Sequence, residues 1–159
     1  MQVYFLRHGL ATERADWTGG DFDRPLTNEG KKKMREEAVG IARLELGLNR
    51  IVTSPYTRAG ETAKIVAEKI GLVSRVEIDK RLAPGFSWQA FSEIVAQIQN
   101  TSALMLVGHE PDFSEIIGRT LGGARVECKK GSLAGIRLDL GSLRGELICL
   151  IPPRALMRT

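Results

Sequence analysis

Short apolar runs alternate along this chain with longer segments in which apolar residues recur every three to four positions, so strands interleaved with helices are predicted. Val3-Tyr4-Phe5-Leu6 reads as a first strand over residues 2–6. A helix follows, capped by Thr27 or Asn28, with Met34, Ala38, Ile41 and Ala42 on one face and a stop near Gly47. Ile51-Val52-Thr53 is a short buried strand broken by Ser54-Pro55, after which Thr57 caps a helix through Ala63, Val66, Ala67 and Ile70 to Gly71. A strand at about 75–78 leads through Arg81-Leu82-Ala83-Pro84-Gly85 to a helix capped by Ser87 that carries Phe91, Ile94, Val95 and Ile98. Residues 103–107 are continuously apolar, as in a central strand buried on both faces. Pro111 and Asp112 then open a helix through Ile116, Ile117 and Leu121 that ends at Gly122-Gly123. The tail, about 124–151, reads as three short strands separated by glycines, and Ala11 to Pro25 reads as a loop lying over whatever the first strand presents.

This order predicts an α/β fold, a three-layer α/β/α sandwich with a mostly parallel central sheet and helices on both faces. The 159 residues, 43% hydrophobic, are enough for one core and short for two, so a single domain over 1–159 is expected. No run is long enough to span a membrane and the N-terminal apolar stretch is too short for a signal peptide, so a soluble, cytoplasmic protein without membrane partners is expected. Cys128 and Cys149 read as free packing thiols. The net charge of +4 favours anionic partners, yet Lys31-Lys32-Lys33 is followed by Glu36-Glu37, which reads as a solvated helix face rather than a nucleic-acid patch.

Candidate chemistry collects at the strand ends. Arg7 and His8 leave the first strand, Arg58 stands in the first turn of the helix after the second, and His109 leaves the central one. Ligands of parallel sheets bind at the carboxyl ends of strands, so these four residues can share one pocket. A lone histidine at such a place is ordinarily a structural residue. Two guanidinium forks with two imidazoles fit a phosphoryl group better than a carboxylate, and a neutral imidazole is a competent nucleophile. On this reading His8 attacks, Arg7, Arg58 and His109 hold the charge, and Gly9 allows a sharp turn and adds an amide donor or fixes the ring. Ser54 and Thr57 read as turn or capping residues, and Trp17 and Trp88 as rim or packing residues. Neither a metal nor a nucleotide cofactor is expected: two histidines without carboxylate or cysteine at ligand spacing make no metal site, and no glycine-rich phosphate loop or serine-nucleophile elbow occurs.

Four segments resemble the histidine phosphatase superfamily, which includes the phosphoglycerate mutases: Leu6-Arg7-His8-Gly9, Arg24-Pro25-Leu26-Thr27-Asn28-Glu29-Gly30, Ser54-Pro55-Tyr56-Thr57-Arg58-Ala59-Gly60-Glu61-Thr62-Ala63 and Val107-Gly108-His109-Glu110-Pro111. The resemblance spans about residues 1 to 120. It implies a phosphoglycerate mutase-like fold, His8 as the phosphorylated nucleophile, and Arg7, Arg58 and His109 as the phosphate pocket. The short length and Gly108-His109-Glu110-Pro111 look most like the SixA-type phosphohistidine phosphatases, which implies a histidine-phosphorylated signalling protein, such as a phosphotransfer domain, as partner. Many members carry a carboxylate that protonates the leaving oxygen, but Arg81-Leu82-Ala83-Pro84-Gly85 has none. Glu77, Asp79 and Glu110 stay open as candidates for that role. A protonated phosphoimidazole needs less help to leave than an alkoxide, so the gap favours phosphohistidine over an ester. Only some forty-four residues separate Thr62 from Val107, too few for the usual insertion that roofs a small ligand, so an open pocket is expected. The competing readings are a small-molecule phosphatase or mutase acting on a small phosphorylated substrate, and a non-catalytic phosphoprotein-binding domain.

Overall fold

The computed structural model describes residues 1–98 and 100–158. Among them one six-stranded sheet runs in the order β3-β2-β4-β1-β5-β6, from β1 (Gln2–Arg7), β2 (Arg50–Thr53), β3 (Val76–Ile78), β4 (Ala103–Gly108), β5 (Leu133–Leu138) and β6 (Gly145–Ile151). The first four strands are mutually parallel, and β5 and β6 extend the sheet antiparallel beyond β1.

Side-chain alternation assigns the layers. Val3 and Phe5 of β1 join Leu104 and Leu106 of β4 in a core against α3 (Trp88–Gln97) and α4 (Asp112–Thr120). Tyr4, Leu6, Met105 and Val107 face the other way, against α1 (Asn28–Arg43), α2 (Thr57–Ile70) and the short α5 (Pro153–Leu156). Because β4 is covered on both sides, every residue of it is buried, which is why it reads as an unbroken apolar run. The chain leaves β1 for α1 on one face and β4 for α4 on the opposite face. That divergence opens a crevice at the carboxyl ends of these neighbouring strands, the switch point where α/β sheets bind ligands.

Several local expectations are corrected. Helix α1 is capped by Thr27, whose hydroxyl accepts from the Gly30 amide, but it ends at Arg43, short of Gly47, and Ala42 is only half-buried. Thr57 is the first residue of α2 and not its cap; the capping position is Tyr56, whose side chain makes no capping bond, while Ser54 Oγ accepts the Tyr56 amide. The tail holds two strands and not three, because 124–132 is irregular and its Gly131 amide is drawn to the carbonyls of Arg7 and His8. Both cysteines are free.

The Lys31–Glu37 run is not wholly a solvated face. Lys31 and Lys33 pair with Glu61 and Glu29, but Glu37 lies on the inner stripe with Gly30, Met34, Ala38 and Ile41, only 3% exposed, against Gly131. Burial pushes its carboxyl up to about 8. A folded-state pKa above the unfolded one means stability that is complete below the unfolded value and lost as pH rises toward about 8. Between about pH 6.5 and 8 this site alone removes roughly 2 kcal/mol, and Glu37→Gln abolishes that component. Urea melts of both proteins across this window check it. An unchanged pH slope in the variant would show that Glu37 is ionised in the fold.

Candidate active site

The crevice gathers all four residues marked from the sequence. Arg7 pairs in register with Gly108 of β4, and the next amide, of His8, donates to the Gly108 carbonyl, so the two strand ends bring His8 and His109 side by side with ring centroids 5.3 Å apart. Arg58 reaches in from the first turn of α2 and lays its Nε 3.4 Å from His8 Nε2. Arg7 Nη1 donates to the Cys128 carbonyl at 2.8 Å, while its Nε is buried without a partner among the described residues.

The support beneath these groups explains the sequence segments that flank them. Thr62 Oγ1 donates to the Arg58 carbonyl and accepts the Gly9 amide, tying α2 to the turn after β1. Glu61 accepts the Leu26 amide and pairs with Lys31, which fastens the Arg24–Gly30 segment to α2. Gly30 is needed for space, since a Cβ there would overlap the Leu10 carbonyl. Gly9 is less constrained: a Cβ there would stand 3.2 Å from Cε of Met34, and that methionine would need to shift by a few tenths of an ångström. The Gly9 amide is taken by Thr62, so it is not free for a ligand; the Gly9 carbonyl holds the His8 ring through Nδ1 at 2.8 Å.

That bond decides the tautomer. A carbonyl only accepts, so His8 Nδ1 carries the proton and Nε2 keeps its lone pair on the Arg58 side. Burial first, and then the nearby His109, Arg58 and Arg7, pushes His8 down to about 3. His109 falls to about 4, again chiefly by burial, with Arg58 adding to the shift. Its Nε2 meets Ser54 Oγ at 2.8 Å and its Nδ1 is buried without a partner among the described residues.

Depressed pKa values set two expectations. In NMR titrations neither ring charges between about pH 5 and 8, and His8 stays the Nδ1-protonated tautomer. Since both folded values lie below the unfolded one of about 6.5, the unfolded chain binds more protons, and stability is lost as pH falls below about 6.5 toward the folded values. A ring titrating near 6.5 in the folded protein would contradict the burial argument.

Sequence reasoning missed Asp21. It sits in a single 3-10 turn, Asp21–Asp23, within the loop between β1 and α1, and accepts from Arg58 Nη2 at 3.2 Å and from Arg24 Nε at 2.9 Å. Its carbonyl also accepts Arg58 Nη1. Burial opposes ionisation of Asp21, but the bonds from Arg24 and Arg58 prevail and hold its carboxyl below the usual range. No periodicity marks this loop, and the one available signal was Arg24 at the head of its motif. His8, Arg58 and His109 are 6%, 4% and 3% exposed, and the loop lays Asp21 against Arg58.

Two of the three carboxylates held open from the sequence are paired with arginines, while Glu110, next to His109 and within reach of the Arg7 charge, has its carboxyl raised by burial and stays open as an acid. Glu77 pairs with Arg50, Asp79 with Arg81, and Glu110 accepts the amide and hydroxyl of Ser114. Leu82, in the segment without an acid, is wholly buried in the core.

A sequence profile of the histidine phosphatase superfamily, branch 1, matches residues 3–84. The chain belongs to that superfamily. That membership, taken with the SixA relatives below, makes it a phosphatase. Across 99% of its length it is 34% identical to an uncharacterised protein of Picosynechococcus sp., of which it also covers 99%. It is 28% identical to the phosphohistidine phosphatase SixA of Escherichia coli K12 over 113 residues, 70% of this chain and 68% of that protein. The solved structure of the protein histidine phosphatase SixA complexed with tungstate has the same fold, with a TM-score of 0.89, 24% identity, and coverage of 98% of this chain and 99% of that one. Among the described residues no helix is long and apolar enough to cross a membrane.

Proposed function

We propose that this superfamily member is a phosphohistidine phosphatase working through a covalent intermediate on His8. In the first step the His8 Nε2 lone pair attacks phosphorus while Arg7, Arg58 and His109 hold the equatorial oxygens. The P–N bond of the substrate breaks with its electron pair going to the departing imidazole nitrogen. In the second step water attacks the phosphohistidine and releases phosphate, with the same donors stabilising the charge.

The observation that carries the substrate class is the state of Asp21, the carboxylate bound to the Arg58 guanidinium. It is held ionised by two arginines, so it has no proton to give a leaving oxygen. A substrate imidazole already protonated on its far nitrogen departs as neutral imidazole without one. Likeness to SixA supports the same reading, and a histidine-phosphorylated protein is the partner it implies.

The test is turnover of a panel of histidine-phosphorylated proteins against 3-phosphoglycerate and sugar phosphates. Phosphohistidine is expected to be preferred by two orders of magnitude or more, roughly the contribution of a general acid. A preference for an ester would install the small-molecule phosphatase reading instead, and retained binding without turnover would make the domain a phosphoprotein reader.

A further inference from the structure

The row of rings does not stop at the two histidines. Tyr56 stands edge-on to His109, with centroids 5.3 Å apart at 71°, and Phe22 packs on Tyr56 at 5.1 Å and 54°. His8, His109, Tyr56 and Phe22 thus form a continuous series from the buried lone pair of His8 to Phe22, which is 48% exposed. Phe22 stands in a short polar turn and is kept there by charge: its neighbour Asp21 is gripped by Arg58 and Arg24. An exposed phenylalanine so held forgoes burial, and its ring adjoins the group that binds the arginines.

We propose that Phe22 and Tyr56 form the subsite for the leaving group, and that the group they receive is a planar imidazole. This deepens the phosphohistidine reading and rests on it. A phosphorylated imidazole protonated on its far nitrogen is a flat cation, which is drawn to the face of an aromatic ring and stacks on it in offset or edge geometry. Arg58 already lies over Tyr56, its guanidinium carbon 5.1 Å from the ring centroid, so the surface left for the substrate is that of Phe22. As the bond from His8 Nε2 to phosphorus forms, the P–N bond of the substrate breaks and its electron pair stays on the departing nitrogen. The ring leaves neutral, with the proton it arrived with. An alcohol leaving from an ester offers no such ring, so the wall adds selectivity as well as affinity.

The experiment compares kcat/KM on free phosphohistidine with kcat/KM on inorganic phosphoramidate, which has the same P–N bond and no ring, for wild type, Phe22→Leu and Phe22→Trp. The ratio is expected to fall roughly threefold to tenfold in Phe22→Leu, through KM, and to persist in Phe22→Trp, which keeps an aromatic face. Because Phe22 is half-exposed, these variants are expected to fold, and their melting temperatures verify it. An unchanged ratio in Phe22→Leu, with wild type still preferring P–N substrates over phosphoglycerate, overturns the subsite alone. A wild type that prefers phosphoglycerate overturns the phosphohistidine reading and the imidazole subsite with it.

Discussion

His8→Ala is expected to lower turnover by a factor of ~10⁴ or more while leaving the fold intact, because no other group supplies a lone pair at the phosphorus. The ring is positioned by its neighbours and does not itself hold them: the backbone of His8 keeps its bond to the Gly108 carbonyl, and the Gly9 amide keeps Thr62. Removing a buried imidazole whose pKa has been driven down to about 3 also removes a desolvation penalty at acid pH, so the variant should resist acid better than wild type. Turnover on a histidine-phosphorylated protein, with thermal melts at about pH 5 and pH 7, separates the two effects. Near-normal activity would end the nucleophile assignment.

Arg58→Lys is expected to cost about 10²- to 10³-fold in kcat/KM, the usual consequence of losing a preorganised donor to developing charge. The guanidinium uses Nε toward His8 and both Nη atoms toward Asp21, a planar fork that a single ammonium on a flexible stem does not reproduce. Bound phosphate competes with Asp21 for that fork, so the variant should lose affinity for inorganic phosphate as well as rate. Kinetics with phosphate as a competitive inhibitor measure both together. A loss below about threefold would place Arg58 outside the pocket, with its bonds to Asp21 merely structural.

What could be read from the sequence were features that repeat or punctuate. The buried run of β4, the Thr27 cap and the Gly71 stop follow from periodicity and capping chemistry, and they placed Arg7, His8, Arg58 and His109 at the strand ends. Features set by tertiary pairing were not visible. Asp21 lies in an aperiodic loop and acquires its place only when α2 brings Arg58 to it. Glu37 looked solvated because its neighbours are charged, yet helix geometry turns it onto the inner stripe beside Met34 and Ala38. Val126-Glu127-Cys128 alternates as a strand would, but the Cys128 carbonyl accepts Arg7 and the following turn folds onto the end of β1, so the segment joins no ladder. The role of Ser54 as partner of His109 was equally hidden, since it spans fifty-five residues of sequence.

The covalent step is tested most directly by rapid quench of wild type mixed with a radiolabelled histidine-phosphorylated protein. Within the first turnover, label should appear on the enzyme in an acid-labile, base-stable linkage that maps to His8 and decays as free phosphate forms. Free phosphate released at the full single-turnover rate with no label ever on His8 would contradict the mechanism.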